Sequence, residues 1–470
     1  MNKKVNHFGA SQLGIIQKRA FYFKSNLGIL NPLALPINLQ KMKGLFNPRI
    51  VWLFTCMLLS VGLFAQEEGF KEYLGEVYDS ETKKPLIFAT LTLENTNIST
   101  ITNTEGEFSL KVPDSNTSEN VIVSFLGYRT KRIPMLQFKS EGNEIGMTEL
   151  VTQLSEVSLS IPKDARALVR ETLKKRGENY IDNPTVMTAF YRETIKRRRQ
   201  NVSLSEAVVN IYKAPYSSNK NDALKLFKAR KSTDYSKLDT LALKLQGGPF
   251  NALFVDMVKY PDYIFAADMF EYYDFSFSNS TRVDDKLIYV IDFTQKPGII
   301  DPLYTGKLYI DVDNKILTSA IYSLNITDRD LAAQMFVRKK PRNADVWPTE
   351  VAYRVDYREK DGKWYYGYSN VLMEFKINWD KRLFNSVYSM SCEMAITDWE
   401  ENLSNEIPKY KDRIKSDIIL TDEAIGFADP DFWGEYNIIE PEKSIESAIR
   451  KIQRQLKRGK VDGGTSAASQ

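Results

Sequence analysis

Residues 75–128 read GEVYDSETKKPLIFATLTLENTNISTITNTEGEFSLKVPDSNTSENVIVSFLGY. Short β-rich runs alternate here with turn signals at close, regular spacing. Residues 88–93 form one such run. Thr104-Glu105-Gly106 is a turn, after which Phe108, Leu110 and Val112 alternate with Ser109 and Lys111. Pro113 and Asp114 stop that strand. Residues 121–125 read as a buried strand, closed by Gly127-Tyr128. Strands of this length and spacing predict a small β-sandwich of the seven-strand type.

The rest of the chain is bounded by its composition. Of 470 residues, 43% are hydrophobic and 26% charged, an ordinary globular balance with room for more than one core. The 25 Tyr and 25 Phe favour pleated, half-buried surfaces, so β structure is expected throughout. The net charge of +4 is misleading, because residues 1–65 hold eight Lys or Arg and no acid. Without those eight, 56 basic residues face 60 acidic ones, a net of −4, which gives no pull toward nucleic acid. The single histidine, His7, lies in that leader. Ser-His-Asp and Cys-His catalysis and His-ligated zinc are therefore excluded from the mature chain. Cys56 lies in the leader's apolar run. Cys392, among Tyr388, Met390 and Met394, reads as a packed small hydrophobe. No phosphate loop or dinucleotide fingerprint occurs.

Taken in order, residues 1–41 are a basic, irregular upstream extension. Residues 42–65 have the layout of a secretory signal peptide: Lys43 and Arg49, then an apolar run, then Ala65 before Gln66-Glu67-Glu68. No later run is long and apolar enough to span a bilayer, so no span is expected after cleavage. The sandwich is placed at 66–155 and a helical linker at 156–187, where Ala165, Leu168, Val169, Thr172 and Leu173 make a helical stripe. Residues 188–400 read as a larger antiparallel curved sheet or half-barrel of meandering strands, with hairpin turns at Asp313-Asn314 and Asp361-Gly362. Within it, 217–236 and 338–348 read as polar or basic loops. Residues 401–460 are a loop followed by an amphipathic helix from Pro441 with Ile445, Ile449, Ile452 and Leu456 as its stripe, and 461–470 a disordered tail. The fold expected is mainly β with a few helices.

Candidate sites are few. Asp284-Asp285, Asp328 with Asp330, Glu400-Glu401, and Asp429 with Asp431 are the acid pairs open to carboxylate catalysis; the commoner use of such pairs is at solvated turns. Asp311-Val312-Asp313-Asn314 lacks the glycine and distal glutamate of a calcium loop and reads as a hairpin turn. Arg197-Arg198-Arg199 and Arg338-Lys339-Lys340 are basic clusters suited to lipid headgroups, an acidic partner or plain solvation. Tyr272, Tyr289, Tyr309, Trp364 and Tyr366 are the aromatic residues expected to line a ligand-binding concavity, with core packing as their other use. Neither a metal nor a cofactor is expected. Asp239-Thr240-Leu241 matches a short periplasmic O-glycosylation pattern.

Several motifs in the opening stretch resemble the carboxypeptidase-regulatory-like domain, a transthyretin-like sandwich. They are Gly75-x-Val77-x-Asp79, Pro85-Leu86, Ala89-Thr90, Thr96, Thr102-Asn103, Gly106-x-Phe108 and Gly127-Tyr128. The family usually has aspartate at Asn103 and a glycine in the turn near Ile98. The resemblance implies an accessory module of exported and outer-membrane proteins in Gram-negative bacteria. The peptidase in the family's name is rejected for want of histidine. A TonB-dependent receptor is rejected for want of length. Phe190-Tyr191-Arg192-Glu193, residues 205–212 and residues 432–439 resemble envelope proteins that join this module to an uncharacterised β-rich domain. Tyr304-x-Gly306-x-Leu308-Tyr309-Ile310-Asp311 is similar to periplasmic lipoprotein-carrier half-barrels. The expected function is a non-enzymatic periplasmic or outer-membrane-associated binding protein. Its partner would be an envelope protein or a hydrophobic or lipid ligand. A carboxylate-dependent glycan hydrolase and a purely structural envelope subunit are the competing readings.

Overall fold

A computed structural model describes residues 69–150, 164–198, 200–233, 246–278, 281–283, 286–337, 340, 342–426 and 432–442. The upstream extension, the signal peptide, the C-terminal helix stripe, the tail, Asp239-Thr240-Leu241, Asp284-Asp285 and the Asp429/Asp431 pair lie outside them. From Phe70 onward the described residues belong to one compact unit.

Seven strands build the N-terminal module: β1 (Phe70–Asp79), β2 (Thr90–Leu93), β3 (Ser99–Ile101), β4 (Glu107–Pro113), β5 (Asn120–Ser124), β6 (Lys131–Pro134) and β7 (Asn143–Met147). They form a three-stranded sheet, β4-β1-β7, and a four-stranded sheet, β3-β2-β5-β6. The inward residues Val77, Leu91, Leu93, Phe108, Leu110, Val112, Val121 and Val123 share one core. Most motif residues have local structural tasks. Asp79 accepts from the Glu81 and Thr82 amides at 2.9 and 2.6 Å and from the Tyr128 hydroxyl at 2.8 Å. The Thr82 amide and then Tyr128 hold the Asp79 carboxyl down at about 2. Thr102 Oγ1 donates to Leu86 O at 2.6 Å and accepts from the Ala89 amide at 2.8 Å. Gly106 has φ +77°, and a Cβ there would meet Pro85 and Val77 O at 2.8 Å.

Twelve more strands follow: β8 (Thr185–Arg197), β9 (Gln200–Lys213), β10 (Ala223–Thr233), β11 (Tyr273–Phe277), β12 (Thr281–Val283), β13 (Lys286–Gln295), β14 (Tyr304–Asp311), β15 (Ile316–Leu324), β16 (Ala344–Lys360), β17 (Lys363–Trp379), β18 (Ser386–Glu401) and β19 (Ile425–Gly426). They form one sheet in the order β11-β13-β14-β15-β16-β17-β18-β8-β9-β10-β19, with β12 also on β13. β11 and β19 end the path without pairing to each other, so the sheet stays open. The expected turns close as read. Asp311 Oδ1 caps the amides of Asp313 and Asn314 at 3.1 and 3.2 Å, and Asp361 and Gly362 both have positive φ.

Two loops read from the sequence are strands instead. β10 occupies much of 217–236. Its lysines deceived the reading because a bulge between Leu226 and Lys228 turns Leu224 to the core and Lys228 and Arg230 to the other face. β16 already begins at Ala344 inside the basic run, with Pro348 beside a bulge where its missing amide costs no ladder bond. Asp328, considered as half of an acid pair, caps the helix Arg329–Phe336 by accepting from the Asp330 and Leu331 amides at 3.0 Å.

One face of the large sheet is covered by the helix Ala165–Lys174, capped by Asp164, and by the crossover 246–272. The helix buries the stripe Ala165, Leu168, Val169 and Thr172. The other face receives the sandwich and residues 432–442. No helix among the described residues is long and apolar enough to cross a membrane.

Candidate functional site

The five aromatic residues expected to line a concavity do not meet in one. Tyr366 is buried beneath the helix Pro249–Leu253, its hydroxyl 2.6 Å from Ser369 Oγ and 3.3 Å from Ala252 O. Tyr289 packs edge-on to Phe277 at 5.7 Å, and Tyr272 is half-buried against the same core. Trp364 sits at the strand's start, under Lys286 Nζ at 5.5 Å. Tyr309 alternates with Leu308 and Ile310 of the core and therefore points to the opposite face. The helix-covered face is filled by the chain's own side chains.

What the structure assembles instead is a three-way seam between sandwich, sheet and the segment 432–442. The sandwich docks through the 88–103 stretch. Phe88, at φ +66°, lies 4.9 Å from the Tyr368 ring and beneath the Arg354 guanidinium at 5.3 Å. A bulky residue in the left-handed region is strained and is held there by its surroundings. Asn97 Nδ2 donates to Trp399 O at 2.6 Å, and Ser99 Oγ to Ile396 O at 3.1 Å. Arg358 Nη1 donates to Ser99 Oγ at 2.6 Å and to Ile396 O at 2.8 Å.

The segment 432–442 lies as a strap across both modules. On the sandwich side, the Lys111 amide donates to Asn437 Oδ1 at 2.7 Å and Asn437 Nδ2 returns a bond to Lys111 O at 3.1 Å. Thr100 Oγ1 donates to Ile438 O at 3.1 Å. Lys111, which alternates with the core residues Leu110 and Val112, is buried beneath this segment. On the sheet side the strap covers a row of charges that the register places opposite one another: Glu393, Arg192, Glu206 and Arg230 on β18, β8, β9 and β10. Arg192 pairs with Glu206 at 2.7 Å and Glu393 at 3.3 Å, and Arg230 pairs with Glu206 at 2.8 Å. Arg192 also donates to Ile439 O at 2.6 Å, and the Arg230 guanidinium lies 4.7 Å from the Trp433 ring. Burial alone would discharge these groups. Glu206 and Glu393 reverse that for Arg192, which is held above its usual range. Arg192 and Arg230 together hold Glu206 below its own.

Asn103 is the family departure that makes sense here. Its Oδ1 accepts from the Glu105 and Glu107 amides at 2.8 and 2.9 Å, which aspartate could also do. Its Nδ2, however, donates to Glu440 O at 3.2 Å and Glu107 Oε2 at 3.3 Å. An aspartate would set a carboxylate oxygen against both. Asn103→Asp is expected to lower stability by about 1–3 kcal/mol and to speed proteolysis within 432–442. Unchanged cleavage there, at any stability, would argue against the strap contact.

A second ionic cluster lies on the helix-covered face. Lys213 Nζ pairs with Asp222 at 2.9 Å and Asp256 at 2.8 Å, and all three are essentially fully buried. Tyr216 and Tyr357 donate to Asp256 at 3.0 Å, and Tyr260 donates to Asp222 at 2.8 Å. The Lys213 ammonium also lies over the Tyr216 ring at 4.9 Å. Burial opposes its charge, but Asp222 and Asp256 hold the lysine above its usual range. Perturbed residues of this kind are found in active sites and in structural networks alike. Here the carboxylate oxygens are taken up within the cluster, which pins the crossover 246–272 to the sheet.

Glu193 stands apart. It is buried opposite Cys392, with the Tyr191 hydroxyl donating to it at 3.0 Å. Burial pushes its carboxyl up to about 8, against a slight lowering by Tyr191. The folded state thus keeps a proton that the unfolded chain loses near 4.5. Stability from this group is complete below that pH and falls as pH rises toward about 8, by at most about 1.4 kcal/mol per pH unit. Glu193→Gln is expected to flatten that slope and to exceed the parent by about 2 kcal/mol or more at pH 9. Denaturant midpoints at pH 5, 7 and 9 test this, and parallel curves would refute it. Burial likewise pushes the Cys392 thiol up, in keeping with a packed, unreactive residue.

Among the described residues no group of acids and thiols is arranged to hold a metal ion. Fold and seam together define a two-module β protein, a regulatory-type sandwich strapped to a large open sheet. Residues 73–159 match the family model of the CarboxypepD_reg-like domain, which is compatible with a non-catalytic module. A search of curated proteins returns no match. Among solved structures, a DUF1329 family protein from Desulfovibrio piger ATCC 29098 is similar at 12% identity, over 51% of this chain and 95% of that one, with a TM-score of 0.23. A lipovitellin structure concerned with lipid–protein interactions is similar at 7% identity, over 50% of this chain and 27% of that one, also with a TM-score of 0.23. Scores this low define no shared fold.

Proposed function

We propose that the protein is a non-enzymatic interaction protein of the cell envelope, exported by its leader to the periplasm or to association with the outer membrane. The observation that carries this reading is the seam. Its charged side chains are spent on holding the chain's own strap between two modules, which braces the sheet as a rigid platform. Of the acids open to carboxylate catalysis, Asp328 caps a helix and Glu401 accepts from Asn183 at 3.0 Å, both structural tasks. Two measurements test the reading. Fractionation of cells expressing the full chain should recover it from the envelope, and crosslinking there should capture a partner. Recovery from the cytoplasm, or turnover on any member of a glycan panel, would overturn it in favour of an intracellular protein or a hydrolase.

The small-ligand version of this reading has a candidate place in a groove of about 420 Å³ lined by Thr294, Gln295, Thr305, Leu324, Asn325, Ile326 and Thr327. The groove is shallow and open, and only Leu324 and Ile326 of its lining are apolar. Acyl ligands should raise the melting temperature, and Thr305→Trp should abolish the shift. An absence of bound lipid together with no shift would remove this version.

A further inference from the structure

The turn joining β17 to β18 reads Asp380-Lys381-Arg382-Leu383-Phe384-Asn385. Leu383 and Phe384 stand 96% and 78% exposed. Hairpin turns ordinarily carry Gly, Asn, Asp or Ser, whose backbones or short side chains make the bend. Two large apolar side chains contribute nothing to it. Their base is firm: Trp379 is buried, and the Arg382 guanidinium lies 5.3 Å over its ring.

The turn also projects. The β15–β16 pairing ends at Ser323 opposite Ala352, whereas β16 starts at Ala344 opposite Trp379. β16 therefore runs on for eight residues past its pairing with β15, about 26 Å at the usual rise per residue, with β17 and β18 paired beside it as far as Ile377 and Ser386. Cationic turns flank the tip. The Arg198 amide donates to Val387 O at 3.1 Å, which sets the β8–β9 hairpin beside it. The Asp380 amide donates to Asn343 O at 3.2 Å, which brings Arg342 alongside. Lys381, Arg382, Arg198 and Arg342 are all exposed there, against the single acid Asp380 of the turn.

We propose that this end of the sheet docks on a bilayer bearing anionic headgroups, with Leu383 and Phe384 entering the interfacial layer and the surrounding cations meeting the phosphates. Apolar residues beside basic ones suit that boundary, where burial and electrostatic attraction add. A stable protein interface takes about 20–30 residues a side, far more than a two-residue tip supplies. The proposal rests on the envelope reading only for where such a bilayer is met. A vesicle assay on purified protein succeeds or fails independently of fractionation.

The experiment uses the full chain with vesicles of phosphatidylethanolamine and phosphatidylglycerol, compared with phosphatidylcholine alone. Leu383→Ser with Phe384→Ser is expected to weaken partitioning about tenfold or more. Lys381→Glu with Arg382→Glu should abolish the preference for phosphatidylglycerol. The indole of Phe384→Trp should shift to the blue and be quenched by brominated acyl chains. Leu403→Ser, at a residue 85% exposed beyond the opposite end of β18, should bind as the parent does. All these positions are exposed, so unchanged melting temperatures exclude misfolding as the cause. Partitioning indifferent to the tip, an equal loss from Leu403→Ser, or an unquenched indole with crosslinks from position 384 to an envelope protein would overturn the proposal, the last in favour of a protein partner.

Discussion

Replacing Lys213 by methionine is expected to destabilise the large sheet by about 3–5 kcal/mol, a large share of a typical domain's stability. The side chain is 3% exposed as a residue and makes two ion pairs below 3 Å. Methionine would match its volume but leave Asp222 and Asp256, both within the core, without their cation. The tyrosine donors Tyr216, Tyr260 and Tyr357 would remain, and they moderate the loss without neutralising either charge. A further variant separates pairing from packing. Lys213→Met combined with Asp222→Asn and Asp256→Asn removes the stranded charges and should restore much of the loss, because replacing a whole buried ionic group costs far less than breaking it. Equilibrium denaturation of the three proteins measures this. A single variant within about 1 kcal/mol of the parent would mean that the cluster contributes little.

Arg192→Met is the second large effect, again about 3–5 kcal/mol. It differs from the first in having a local signature. Arg192 of the charge row bonds the strap's backbone directly, at Ile439 O. Its loss strands Glu206 on one side, still paired to Arg230, and Glu393 on the other, still accepting from Tyr368 at 3.3 Å. The strap should loosen with it. Amide exchange in 432–442 is expected to rise more than exchange in the sandwich core around Val121 and Val123. Uniform acceleration across the chain would indicate general destabilisation, and unchanged strap exchange would remove its proposed anchor. Arg192→Met with Glu206→Leu, Arg230→Met and Glu393→Gln should recover stability if the row acts as an ionic unit, while leaving the strap loosened.

Much of the architecture was legible because it rests on local rules. The alternation Phe108, Leu110, Val112 fills the sandwich core as expected. The helical stripe from Ala165 is buried with its period intact, and the turns at Asp313-Asn314 and Asp361-Gly362 form where their φ preferences allow. β10 was missed because Lys225, Lys228, Arg230 and Lys231 look like a solvated loop until Glu206 and the aromatic strap are placed beside them. The aromatic concavity did not assemble, since a count of Tyr and Trp cannot tell whether a face is empty or filled by the crossover 246–272. The seam's own signals were present but unconnected: the unusual Asn103, the Phe-Tyr-Arg-Glu run at 190–193, and the aromatic segment from Phe432.

By itself the sequence determined the class of each module, because hydrophobic period, turn chemistry and the near absence of histidine are properties of short stretches. It also determined that residues 66–470 hold no histidine, the side chain that Ser-His-Asp, Cys-His and His-ligated zinc chemistry need. Only the tertiary structure decided what the polar residues do. Arg192 meets Glu206 and Glu393 across strands, and Asn103 meets Glu440 across more than three hundred residues of chain. A charge buried at such a meeting is stable only when its partner arrives with it, and no local pattern encodes that arrival.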